Sequence, residues 1–113
     1  MVEIRCWENR NGRKPVKEWL SQLKGVDEVA FRKVDRLLVL LRTLGREMGL
    51  PGARYLGGGL FELRDLGRGA GYRIYYTWVD EVIIILLAAG DKGSQDRDID
   101  LARRRLADRT DTK

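Results

Sequence analysis

The sequence contains no histidine and one cysteine in 113 residues. Any chemistry this chain performs therefore works without imidazole, and falls to carboxylates, tyrosine or lysine. Cys6 alone provides neither an intrachain disulfide nor a thiolate cluster. With histidine absent as well, a zinc site lacks its ligand set, so no metal and no cofactor are expected. Long apolar runs are missing too. The longest, Val82 to Ala89, falls far short of the roughly 20 residues that cross a bilayer. The opening Met1-Val2-Glu3-Ile4-Arg5 lacks the basic region and apolar stretch of a secretory signal. These absences lead to the expectation of a cytoplasmic protein with no membrane role.

What the sequence does have is charge of one sign in excess. Twenty-two Lys and Arg against 17 Asp and Glu give a net charge of +5. The pI is near 9.7. With 43% hydrophobic and 35% charged residues, the composition is that of a globular protein. The length supports a single core, so residues 1–113 are read as one domain, with 109–113 expected to fray. Arginine outnumbers lysine, which favours bidentate grip on phosphate. A solvated basic surface accounts for the charge equally well.

The apolar periodicity gives the elements. Val2, Ile4 and Cys6 alternate as in a strand, and Asn9 to Gly12 supplies a turn. Pro15 suits the first turn of a helix carrying Val16, Trp19, Leu20 and Leu23 at helical spacing, ended by Gly25. A second helix starts near Asp27, with Val26, Ala30, Val34, Leu37, Leu38, Leu41 and Leu44 as its stripe and Gly45 as its stop. Three alternating or apolar stretches follow: Leu60 to Asp65, Gly71 to Trp78, and Val82 to Ala89. The last, without polar interruption, reads as a strand buried on both faces. Ser94 then caps a helix with Asp96, Asp98 and Asp100 in its first turns and Ile99, Ala102 and Leu106 on its core face. The expected fold is α+β, ordered β-α-α-β-β-β-α, with a mainly antiparallel sheet against a helical hairpin and a C-terminal helix.

Alternation places Phe61 and Leu63 on one sheet face and Glu62 and Arg64 on the other. In the next strand Tyr72, Ile74, Tyr76 and Trp78 oppose Arg73, Tyr75 and Thr77. Arg64, Arg73 and Tyr75 thus share the face away from the core. Two guanidiniums can hold phosphate oxygens and stabilise charge building on phosphorus, and a phenol can stack on a base or relay a proton. The competing reading is a solvated face in which Glu62 pairs with Arg64 or Arg73. Lys92, in Gly90-Asp91-Lys92-Gly93 after the apolar strand, either neutralises a phosphate or merely belongs to the connection. Asp91 reads as an acceptor for loop N–H groups. Gln95 at the helix start is a ligand contact or a structural residue. Gly57-Gly58-Gly59 precedes a strand and is no phosphate-binding fingerprint. Trp7, Trp19 and Trp78 read as core or interface, and Arg103-Arg104-Arg105 as a solvated stripe.

Taken together, Gly59-Leu60-Phe61-Glu62-Leu63-Arg64, Gly71-Tyr72-Arg73-Ile74-Tyr75-Tyr76, Leu86-Leu87-Ala88-Ala89-Gly90-Asp91-Lys92 and Gln95-Asp96-Arg97-Asp98-Ile99 resemble the RelE/ParE toxin superfamily. The HigB-like branch, often labelled addiction module killer protein, is the nearest, and Pro15-Val16-Lys17-Glu18-Trp19-Leu20 fits its first helix. The resemblance runs from about Val2 to Ala107. It implies the toxin of a type II toxin–antitoxin pair. RelE-type members cleave mRNA in the ribosomal A site without a metal, leaving a 2′,3′-cyclic phosphate. By position, Arg64 matches the arginine that stabilises the transition state. Lys92 falls where a basic residue often follows the last strand, and Arg73 with the Tyr72–Tyr76 cluster fits the strand between. The implied site is therefore Arg64, Arg73, Lys92 and Tyr75, with Glu62, Tyr72, Tyr76 and Gln95 contacting substrate. The chain departs from the pattern in having no tyrosine or histidine after Tyr76, which leaves Tyr75, Glu62 and Lys92 as bases for the ribose hydroxyl. The implied partners are a helix-turn-helix antitoxin of HigA type, mRNA and the ribosome, with operator DNA reached only through the toxin–antitoxin complex. A ParE-like inhibitor of DNA gyrase that cleaves nothing, or an inactive paralogue that binds only antitoxin, shares the same resemblance.

Overall fold

The structure, a computed structural model, describes residues 1–109. Strand β1 (Glu3–Cys6) is followed by helix α1 (Pro15–Val26), which carries Pro15 in its first turn as expected. Asp27 then caps helix α2 (Glu28–Leu44), its carboxylate accepting from the Ala30 amide at 3.0 Å. Gly45, at φ +57°, ends α2 in a conformation that other residues rarely adopt. Strands β2 (Ala53–Gly57), β3 (Leu60–Arg64), β4 (Arg73–Trp78) and β5 (Ile83–Gly90) lead to helix α3 (Gln95–Arg109). Arg109, expected in a frayed tail, closes this helix. The rest of that tail, 110–113, lies outside the described residues.

The α+β class agrees with expectation, and the sheet has one strand more than the periodicity predicts. That strand is β2. Gly57, Gly58 and Gly59, at φ +91°, +62° and +85°, form the turn of a hairpin joining it to β3. The glycines are thus turn residues, and the strand they serve sits ahead of them.

The sheet order is β1-β5-β4-β3-β2. β1 runs parallel to β5, and the other neighbours are antiparallel. One face meets α1 and α2 in a core of Val16, Leu23, Val34, Leu41, Leu63, Ile74, Tyr76, Ile84 and Leu86. The other face packs Leu60, Tyr75, Leu87 and Ala88 against Ala102, Ile99 and Leu106 of α3. β5 is interior to the sheet and feeds both cores. A bulge at its contact with Tyr75 and Tyr76 resets the alternation, so Leu87 and Ala88 both turn toward α3.

Candidate functional site

Strand register builds a charged cluster on the α3 side of the sheet. Arg54 of β2 lies opposite Glu62 of β3, Glu62 opposite Tyr75 of β4, and Arg64 opposite Arg73. Two like charges directly across a ladder repel. Glu62, completely buried, answers that repulsion. Its Oε1 lies 3.0 Å from Arg54 Nη2 and 3.6 Å from Arg64 Nε, and its Oε2 lies 3.5 Å from Arg73 Nε. Gln95, the first residue of α3, donates Nε2 to Oε2 at 3.0 Å. Three guanidiniums from three strands and one amide from a helix therefore converge on one carboxylate. Two of the three positive charges remain uncompensated.

The cluster is tight in charge and loose in hydrogen bonding. Glu62 Oε1, the Nε atoms of Arg64 and Arg73, and the Tyr75 hydroxyl are all buried without a hydrogen-bond partner among the described residues. Burial first, and then the neighbouring Glu62 charge, raise Tyr75 well above an ordinary phenol. Exposure grades outward: the Arg73 side chain is 11% accessible, Arg64 24% and Arg54 42%. α3 packs mainly on β5 and less on β4 and β3, and the arginine side chains become accessible toward the start of β2 and the end of β3.

The loop before β4 joins this cluster to the turn after β5. Arg73 Nη1 donates to the Gly71 carbonyl at 2.7 Å, and the Lys92 amide donates to Ala70 at 3.0 Å. Gly71 has φ +68°, and a Cβ there would stand 3.2 Å from both Arg73 Nη1 and Lys92 Cβ. Lys92 is exposed beside this junction. Asp91 accepts from the Ser94 amide at 3.1 Å, the N–H acceptor role anticipated for it. Asp91 and Ser94 together form a capping box on the single 3-10 turn Lys92–Ser94 ahead of α3, and the Ser94 hydroxyl also donates to the buried Asp98, so the cap expected of Ser94 on the helix serves this turn instead.

Arg64, Arg73, Glu62, Tyr75 and Gln95 meet in one cluster with Lys92 at its margin. Tyr72 and Tyr76 do not join it. Tyr72 packs edge-on against Trp19 and Tyr76 stacks on Phe61 in the opposite core, the position that period-two alternation dictates. Tyr76 is buried there, whereas half-buried Tyr72 borders a hollow shared with Gly90, Asp91 and Ser94. The face carrying Arg73 and Tyr75 also differs from a solvated one: α3 covers it, so Tyr75 and Glu62 are fully buried. Among the tryptophans, Trp7 and Trp78 each lie under a guanidinium, that of Arg105 and Arg46 respectively. The arginine stripe of α3 is correspondingly not free: Arg103 donates to the Leu56 and Gly57 carbonyls and Arg105 to that of Leu87.

Arg54 is the residue that sequence reasoning missed, because its strand was missed. The signal was Ala53-Arg54-Tyr55-Leu56, an alternating stretch before a glycine turn and an established strand. A larger hollow of about 740 Å³ lies at the opposite sheet edge, lined by Cys6, Trp7, Asn9, Arg10, Ile85 and Asp108. Burial pushes the Cys6 thiol up from its ordinary value, which disfavours the thiolate form. The convergent charges, not the volume, make the arginine cluster the candidate site.

The model of the phage-derived Gp49-like protein family matches residues 19–107. An uncharacterized protein of Haemophilus influenzae is 37% identical over 86 residues, covering 75% of this chain and 79% of its own. The chain belongs to the Gp49-like family, a family of addiction-module toxins. Membership implies an antitoxin partner. No helix among the described residues is long and apolar enough to cross a membrane.

Proposed function

We propose that this toxin is a ribosome-dependent mRNA endoribonuclease of RelE type, acting without a metal in the cytoplasm. The observation that carries the reading is the cross-strand pair Arg64–Arg73, backed by Glu62 and accessible toward the end of β3. Such a pair suits a phosphodiester whose charge grows during reaction. In the proposed step the ribose 2′-oxygen attacks the adjacent phosphorus and the bond from phosphorus to the 5′-oxygen breaks. One fragment keeps a 2′,3′-cyclic phosphate and the other a 5′-hydroxyl. The 2′-hydroxyl proton passes to water, and the Lys92 ammonium gives a proton to the leaving oxygen. Arg54, Arg64 and Arg73 hold the nonbridging oxygens. Tyr75 and Glu62 act behind the clamp, since neither reaches solvent. Positioning on the ribosome supplies a share of the barrier on the order of 7 kcal/mol. The antitoxin in this reading is a HigA-like helix-turn-helix protein, and operator DNA is contacted only by the complex.

One observation favours a second reading. Tyr75 and Glu62 are fully buried, so neither of these two candidate bases reaches a substrate hydroxyl, as suits a ParE-like gyrase inhibitor. Induced expression separates the two. A collapse of labelled amino-acid incorporation with unchanged plasmid supercoiling supports the nuclease. Relaxed plasmid with translation continuing supports gyrase inhibition. Growth unaffected by the toxin without its antitoxin identifies an inactive paralogue.

A further inference from the structure

We propose that Glu62 is the positioning residue of an anion clamp, holding the inner edges of Arg54, Arg64 and Arg73 so that their outer atoms face a phosphodiester. This deepens the reading of the same site as a phosphate-binding centre. A carboxylate at the middle of a sheet needs a reason, because burying one costs several kcal/mol unless it is compensated. Here the compensation comes from side chains on three strands and one helix. Glu62 cannot contact a macromolecular substrate, being wholly inaccessible, so neither substrate binding nor proton abstraction falls to it.

The orientation of the guanidiniums follows. The Nε atoms of Arg64 and Arg73 are the buried ones, and both lie nearest Glu62. The accessible part of each side chain therefore belongs to its other atoms. Arg73 is further fixed by its bond to the Gly71 carbonyl, and Glu62 by Gln95. Without the carboxylate, Arg64 and Arg73 would still be cross-strand neighbours but would spread apart to lower their repulsion. A spread pair keeps the attraction for polyanions and loses the geometry that directs it. Binding and positioning should then move in opposite directions, which a residue with a purely structural role would not cause.

The test compares wild type with Glu62→Gln, which keeps the shape and removes the charge, and with Gln95→Ala, which loosens the brace alone. Three readouts are taken: arginine Nε–H signals by NMR, retention of a fluorescein-labelled single-stranded RNA across a salt series, and cleavage on translating ribosomes. In wild type the Arg64 and Arg73 Nε–H protons should exchange more slowly than that of exposed Arg68. In Glu62→Gln they should exchange rapidly, and RNA should bind as tightly or more tightly, with a salt slope steeper by about 0.7 for one added charge. Cleavage should fall at least tenfold through kcat, with KM little changed. Gln95→Ala should show the same pattern more weakly. Fast Nε–H exchange in the wild type, or Glu62→Gln cleaving at the wild-type rate, overturns the proposal. Parallel loss of RNA binding and thermal stability in Glu62→Gln also overturns it, in favour of a structural role. If wild type cleaves nothing, the nuclease reading fails, while the exchange and salt-slope readouts still decide the role of Glu62.

Discussion

The two faces of this sheet are built from the same strands and reach opposite solutions. On the α1–α2 side, Phe61, Leu63, Ile74, Tyr76 and Trp78 meet aliphatic helix residues, and the side chains are held by packing. On the α3 side, their alternating neighbours Leu60, Glu62, Arg64, Arg73 and Tyr75 begin as a small core under Ala102 and end as an ion cluster whose arginines are partly accessible. The first face gains stability from burying apolar area. The second surrenders some of that gain to hold charges in place, which is the usual mark of a site under functional demand.

Substitutions that separate the two faces test this contrast. The largest effect is expected on the charged face: Arg64→Ala or Arg73→Ala should lower toxic activity by about 100- to 1,000-fold. Thermal midpoint and antitoxin co-purification should hardly change, because Glu62 keeps its remaining partners. Toxicity surviving in both variants would remove the clamp. The apolar face should respond in the reverse sense. Leu41, fully buried in the α1–α2 core, should lose about 2–5 kcal/mol of stability on change to alanine, read as a lower urea midpoint. Activity per folded molecule should persist.

The junction between strand and helix is the next point of attack. A Cβ at Gly90 would fall inside contact distance of Asp98 Oδ2 and 2.5 Å from Ser94 Oγ. Gly90→Ala should therefore cost about 1–3 kcal/mol by overpacking and loosen the turn that carries Lys92. Unchanged stability in urea would show that the turn adjusts freely.

The smallest effect concerns alkali. Burial pushes Tyr76 up to about 12 from an ordinary value near 10. The folded state then holds this proton more tightly than the unfolded chain. Its contribution to stability is complete below about pH 10 and is lost as pH rises through about 12. Tyr76→Phe should flatten the alkaline fall in urea midpoint without abolishing it, since Tyr75 is shifted in the same direction. An identical fall in the variant would contradict the burial argument.

Much of this was legible in the sequence. Period-two alternation in residues 60–65 and 71–78 assigned every side chain of β3 and β4 to its face, and Pro15, Asp27 and Gly45 marked the helix limits. What alternation cannot show is whether a polar face is covered. Glu62 and Tyr75 look the same in sequence whether bathed in water or buried under α3. Their burial depends on where α3, which begins 20 residues after Tyr75 and 33 after Glu62, comes to rest, a tertiary event without a local signal. β2 was hidden for another reason. Gly49-Leu50-Pro51-Gly52 and Gly57-Gly58-Gly59 bracket it so closely that the stretch reads as one loop, and Arg54 was lost with it. Arg103 and Arg105 look like solvated charge until the backbone carbonyls they reach are in view.

The central claim is that paired arginines on a rigid sheet grip a scissile phosphodiester. The direct measurement is to add purified toxin to a defined translating ribosome complex and map mRNA 5′ ends, for wild type and Arg64→Ala. The account predicts cuts confined to the A-site codon, with cyclic phosphate on the upstream fragment, that vanish in the variant. Intact mRNA beside a wild-type protein that still arrests growth would contradict it.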